Sequence, residues 1–381
     1  MPELQSQTPQ GSGQITELQS LRGVAAVTVM IGHCLISYGP SSLLMGLSCF
    51  FNGRAAVAVF FVLSGYVLTR SLQKGRFDRD AVLRFYVRRG FRLYPAIWVA
   101  SALGLAYLFA LHWQIPLDRA GPLIQHAFRP DRFDTFHIVT SIAGMTTFII
   151  PQLWTIFIEI VASIAMPGIA FVALYRRPWF ACALGLALLV SFTIPNTYYH
   201  VTLYLVDFVV GAGLAIPGLA TRLFRNAPAR LLVGIGLVTL AGTRFLPLDY
   251  WSPAANLLEL AVATLIIGTL TGANERVYLF QSRFLRFLGD ISYGIYLLHF
   301  AVLCTIVKLF TLLQWASGVR VDIYVLAILV TCVTSTVTIL LAWLSYVYVE
   351  VPGIELGRRL LRFLGGRPRG IGPGMPGTAV P

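Results

Sequence analysis

Charge is scarce in this 381-residue sequence: 12% of its residues are charged, against 57% hydrophobic. Ordinary soluble domains carry roughly a quarter charged residues. So little charge beside so much apolar surface excludes a water-soluble globule, and it leaves the lipid bilayer as the solvent. Cysteine is scarce too. Cys34, Cys49, Cys182, Cys304 and Cys332 are scattered singly, with no CxxC pair and no disulfide framework, and the four inside apolar runs, all but Cys49, read as small hydrophobes. A G-x-S-x-G elbow is missing, and no internal repeat or metal-ligand pattern is present. The first fifteen residues lack the basic n-region of a secretory signal, so the first apolar run is expected to stay attached as a span.

What is present is a succession of apolar runs. They fall at about 21–39, 52–70, 93–111, 153–175, 178–195, 201–220, 229–247, 254–272, 288–313 and 322–348. Eighteen to twenty residues at ~1.5 Å each cover the ~30 Å hydrocarbon core. The fold class expected is therefore all-α, a polytopic transmembrane bundle of about ten spans. Residues 16–360 form the membrane domain, and 1–15 and the Gly/Pro-rich 361–381 are expected to be cytoplasmic tails. The apolar stretch 138–150 is short for a span. It is expected to be a re-entrant or interfacial piece of an outer loop, about 112–152.

The net charge of +13 comes from 29 Lys and Arg against 16 Asp and Glu. In a soluble protein this balance suggests nucleic acid; here the basic residues sit between apolar runs, and no nucleic-acid partner is expected. The clusters Arg70–Arg92, Arg176–Arg177, Arg222–Arg230, Arg276–Arg286 and Arg358–Arg369 all fall on one side of the proposed threading. By the positive-inside rule that side is the cytoplasm, and both termini lie there. Arg119, His126, Arg129 and Arg132 belong to the outer loop and are read as solvated.

An ionisable side chain at mid-membrane costs ~2.5–3.5 kcal/mol on insertion scales, so each one needs a reason. His33, Glu159, Asp207, Glu259, His299 and Lys308 are the candidates. Arg22 and His33 are eleven residues apart, which at ~100° per residue puts both on one helix face, ~16 Å apart along the axis. Arg22 then sits at the cytoplasmic surface and His33 near the middle of the span. Arg89 and Arg92 share a face if their segment is helical; they fit an anion clamp as well as a topological stop. Glu159, Asp207 and Glu259 lie at comparable depth, and any of them could orient a histidine or pair with an arginine. Spacing alone does not choose between them. His299, three residues after Tyr296, is left without a role, as is Lys308.

Six strings occur in order along the chain: Leu18-Gln-Ser-Leu-Arg22-Gly with His33 following, Phe60-Phe-Val-Leu-Ser64-Gly65-Tyr66, and Arg89-Gly-Phe-Arg92-Leu-Tyr-Pro95. Then come Leu153-Trp154-Thr155 with Glu159, Ser292-Tyr293-Gly-Ile-Tyr296-Leu-Leu-His299, and Tyr346 with Glu350-Val-Pro352. Together, from about 16 to 360, they resemble the integral-membrane acyltransferase 3 family, bacterial enzymes that O-acylate surface and secreted carbohydrates. Thr155 stands where that family more often has Ser. The resemblance implies a multi-pass enzyme of the bacterial inner membrane that takes acyl-CoA, usually acetyl-CoA, from the cytoplasm. It implies a carbohydrate or glycolipid acceptor and no metal. It assigns the essential base to His33 and the handling of the donor to Arg22, Arg89 and Arg92. Some relatives carry an SGNH hydrolase-like domain, and this chain is expected to act without one.

These roles fit the spacing. Phosphates of the donor held at the three arginines let its arm rise along the first helix toward His33, with Glu159 as the expected partner that orients the imidazole. A covalent acyl-enzyme is the variant of this scheme. The competing class is a proton-coupled transporter or flippase, in which intramembrane acids and histidines form a relay.

Overall fold

The computed structural model describes residues 16–364 apart from 39–40, 74–75, 113–119, 126, 128–133 and 196. Residues 1–15 and 365–381 of the expected tails lie outside the described residues, as do Arg119, His126, Arg129 and Arg132 of the outer loop. Among the described residues the chain is helical, with one isolated antiparallel bridge between Tyr38 and Ala120.

The helices are α1 (Thr16–Leu35), α2 (Ser42–Phe50), α3 (Gly53–Leu72), α4 (Arg79–Tyr107), α5 (Pro122–Gln125), α6 (Thr135–Ile142), α7 (Leu153–Tyr175) and α8 (Arg177–Thr193). They continue with α9 (Val201–Leu214), α10 (Leu219–Phe224), α11 (Ala229–Gly242), α12 (Pro253–Gly272), α13 (Arg283–Asp290), α14 (Ser292–Ser317), α15 (Ile323–Ser345) and α16 (Val351–Leu364). Each of the ten apolar runs coincides with a helix. Seven helical stretches are long and apolar enough to cross a membrane, while α8 and α9 are shorter apolar helices. The 14 residues of α9 cover only ~21 Å. It is nevertheless the most enclosed of the short helices, because α3, α7, α8 and α12 surround it. The fold is an all-α polytopic bundle.

Three local features differ from the pattern read in the sequence, and each has a physical cause. The first helix begins at Thr16 and ends at Leu35, so His33 lies in its last turn rather than at its midpoint. The apolar run had concealed this, because Ile36–Tyr38 continue it in composition but turn away toward Gly121, whose N–H reaches the Ser37 carbonyl at 2.8 Å. Helix α4 starts fourteen residues before its apolar run, capped by the Asp78 side chain on the Ala81 N–H at 2.8 Å, so Arg89 and Arg92 are both helical. The ambiguous stretch 138–150 is only partly helical. Helix α6 has 8 residues, ~12 Å, too short to cross. The chain reverses at Gly144, where φ is +74°, and returns as an irregular segment whose Phe148, Ile149 and Ile150 are buried against α4.

Close crossings set the bundle. A Cβ on Gly65 would collide with the Phe208 carbonyl, and one on Gly211 with the Val62 carbonyl, so α3 and α9 touch backbone to backbone at two points. The Phe61 and Phe208 rings fill the space beside the contact, with centroids 4.9 Å apart. This is the small-residue packing that lipid-embedded helices use in place of a hydrophobic drive. Replacing Gly211 by valine is expected to destabilise the bundle by at least ~1–3 kcal/mol through overpacking. The check is a lower melting temperature of the variant in detergent.

Candidate functional site

Between α1, α3, α4, α7 and α14 lies a cavity of about 840 Å³. Small-molecule sites span ~300–1,000 Å³. Its wall carries four guanidinium groups, Arg22, Arg70, Arg89 and Arg92, and a single carboxylate, Glu159. The polar end is built from the first turns of α1 and the last turns of α3, the side that the basic clusters assign to the cytoplasm. The other end is aromatic, with Phe60 and Tyr296.

Each cationic group is held differently. The Arg89 guanidinium pairs with the Glu159 carboxylate, and its Nε donates to Ser163 Oγ at 2.9 Å, so α7 fixes it in place. Ser64 Oγ also donates to Glu159, at 3.4 Å. Arg70 donates to Gln73 Oε1 at 3.0 Å. Arg22 and Arg92, in contrast, form neither an ion pair nor a hydrogen bond among the described residues, although both face the cavity. Arg22 lies within electrostatic range of Arg89, Arg92, Glu159 and Glu350. Glu350, at the end of a π-helical turn (Tyr346–Glu350), is buried with Oε1 unpartnered, and it faces the same arginines. Four arginines against two carboxylates leave the site with an excess of positive charge and two unpaired donor forks. Such an arrangement suits an anion.

The frame around the cavity comes from the sequence strings already noted. Gln152 Nε2 donates to the Leu297 carbonyl at 2.7 Å, Thr155 Oγ1 meets the Tyr296 hydroxyl at 2.7 Å, and Tyr293 OH donates to the Leu93 carbonyl at 3.1 Å. These bonds tie α7 and α4 to α14. Beyond the polar end of the cavity the Gln19 side chain bonds Asp290, and Arg276 and Gln281 contact Glu17 at 3.3 and 3.0 Å. Burial pushes the Asp290 carboxyl above the usual carboxylate range.

Glu159 does not orient His33. The pairing expected between them is replaced by Glu159 with Arg89, because α4 offers a guanidinium at that level and a charged fork outcompetes a neutral imidazole for a carboxylate. Neither of the other acids reaches His33. Glu259 pairs with Arg54 at 2.9 Å and accepts from Asn52 and Thr243, each at 3.1 Å; Asp207 accepts from Asn256 at 3.1 Å. The partner of His33 is His299. Its Nε2 lies 2.9 Å from His33 Nδ1, with the rings edge to edge, 5.2 Å between centroids and 18° between planes. His33 does not itself line the cavity; Tyr296 does, and its ring is 5.9 Å from that of His299, the partner of His33. The structure thus gathers Arg22, Arg89, Arg92 and Glu159 around one cavity and sets His33 behind its aromatic end.

The match to known proteins accords with this arrangement. The acyltransferase 3 family, described as an acyltransferase domain, matches residues 15–347. The chain belongs to this family. It is 25% identical over 326 residues to the peptidoglycan O-acetyltransferase OatA of Listeria monocytogenes, covering 76% of this chain and 49% of that protein. It is 24% identical over 338 residues to nodulation protein 10 of Rhizobium leguminosarum bv. viciae, covering 80% and 87%. It is 26% identical over 333 residues to the putative peptidoglycan O-acetyltransferase YrhL of Bacillus subtilis, covering 76% and 48%. The chain therefore spans about half the length of the two peptidoglycan O-acetyltransferases. No solved structure matches.

Arg70 and Glu350 were missed as site residues. Arg70 looked like one more positive-inside charge, and nothing local separates it from Arg76 or Arg79. Glu350 sat in a quoted string, and its burial beside two arginines is set by the fold rather than by its neighbours in sequence.

Proposed function

We propose that this family member is a membrane-bound O-acyltransferase that moves an acyl group, acetyl in the simplest case, from cytoplasmic acyl-CoA to a hydroxyl of a cell-surface or secreted carbohydrate or glycolipid. Its place in this reading is the bacterial inner membrane. The observation that carries it is the cavity of about 840 Å³ whose wall holds four arginines against one glutamate.

Coenzyme A is a polyanion at one end and a thioester at the other. Its phosphates are taken by Arg22 and Arg92, whose forks are unengaged, with Arg89 held ready by Glu159 and Ser163. The arm then runs the ~16 Å from the level of Arg22 to that of His33, past Phe60 and Tyr296. There His33, in the last turn of α1, removes the proton from the acceptor hydroxyl. The freed oxygen attacks the thioester carbonyl, the C–S bond breaks, and the protonated imidazole returns its proton to the departing thiolate. Because His33 lies toward the far end of α1, donor and acceptor approach it from opposite faces of the membrane.

Titration of detergent-purified protein with coenzyme A tests the donor half. Two lost charge-assisted contacts of ~1.5–3 kcal/mol each weaken binding by about 10²–10⁴-fold in the Arg22→Ala/Arg92→Ala variant. An affinity equal to that of the unaltered protein rules the donor site out.

A further inference from the structure

His299 has a geometry that its sequence context did not reveal. It is fully buried on α14, and its two ring nitrogens are both engaged. Nδ1 lies 3.0 Å from the carbonyl oxygen of Ile295, one turn earlier, and Nε2 lies 2.9 Å from Nδ1 of His33. A carbonyl oxygen only accepts, so His299 carries its proton on Nδ1. Neither histidine forms an ion pair among the described residues, and a buried imidazolium without a counter-charge is disfavoured, so the His299 ring is neutral. Its Nε2 then bears the lone pair, and the short contact to His33 requires the proton to be on Nδ1 of His33.

We propose that His299 is a positioning residue that fixes His33 as its Nδ1–H tautomer and so presents the Nε2 lone pair of His33 as the base. The mechanistic consequence rests on the acyl-transfer reading above; the tautomer itself does not. The chain Ile295 carbonyl, His299, His33 does with two neutral rings what a carboxylate does in a carboxylate–histidine pair: it sets which nitrogen is protonated and holds the ring plane. The near-coplanar, edge-to-edge placement of the two imidazoles, 18° between planes, and the edge contact of Phe300 on His33 at 5.6 Å restrict the ring further. Atom Nε2 of His33 has no hydrogen-bond partner among the described residues, and His33 keeps partial exposure, so that nitrogen is the one available to a hydroxyl.

Two measurements test this. In protein labelled with ¹⁵N-histidine, the nitrogen resonances that vanish in His33→Gln report the tautomer of His33 directly, whether or not the protein transfers acyl groups. The expected result is protonated Nδ1 and bare Nε2; the opposite assignment overturns the proposal. In acyl transfer, His299→Leu removes the acceptor and is expected to lower kcat by about 10²–10⁴-fold with KM for the acyl-CoA unchanged, since the arginines are untouched. His299→Gln places its side-chain oxygen where Nε2 was and is expected to recover at least tenfold of that loss. Equal activity of the two variants overturns the positioning role. If His299→Leu does not fold, the ¹⁵N assignment of the unaltered protein decides alone. A protein that shows the expected tautomer but transfers no acyl group refutes the acyl-transfer reading and not this one.

Discussion

Replacing His33 by alanine is expected to abolish acylation of the surface glycan while the protein accumulates in the membrane as before. General acid–base catalysis contributes ~10²–10⁴-fold, and here one ring serves both half-steps, so the loss belongs at the upper end of that range. Folding should be little affected. His33 is partly exposed in the last turn of α1, and the bonds that hold α1 to its neighbours involve Glu17, Gln19 and Ser20 at the other end. His299 keeps its bond to Ile295 when its partner is lost. The measurement is mass spectrometry of surface glycans from cells carrying either form, with abundance checked by immunoblot. Undiminished acylation removes His33 from the mechanism.

The largest effect on stability is expected at the seam of α3 and α12. Arg54 and Glu259 are both buried and joined at 2.9 Å. The Asn52 amide, which caps the Gly53–Leu72 helix through its carbonyl oxygen, and the Thr243 hydroxyl bond the same carboxylate oxygen. Arg54→Leu leaves that carboxylate buried with only neutral donors, a loss of ~3–5 kcal/mol. The double replacement Arg54→Leu/Glu259→Leu removes both charges and should recover most of this, since a buried pair exchanged for apolar volume is often near neutral. Thermal unfolding in detergent of the single and double variants is the check. A double variant no more stable than the single one contradicts the account.

The pairs Arg22 with His33 and Arg89 with Arg92 were legible because each lies on one helix, where eleven- and three-residue spacings translate directly into a common face; the grouping of all three arginines came from the family resemblance. The structure places Arg22, Arg89 and Arg92 along the wall of one cavity. Glu159 was legible as an intramembrane acid in need of a partner, yet its partner was not. Three acids at similar depth were equivalent on paper, and only the approach of α4 to α7 assigned Glu159 to Arg89. His299 lies 266 positions from His33, and no periodicity links residues on different helices.

Composition and the lengths of the apolar runs determined that this chain is an all-α membrane bundle and which long helices it contains. Those properties follow from one-dimensional chemistry: a backbone in hydrocarbon must satisfy its own hydrogen bonds, and charge must avoid lipid. The tertiary structure alone decided where α1 stops, which acid meets which base and that two histidines share a hydrogen bond. Pairing depends on how helices cross, and crossing is set by contacts such as Gly65 on Phe208 and Gly211 on Val62, whose partners lie far apart in the chain.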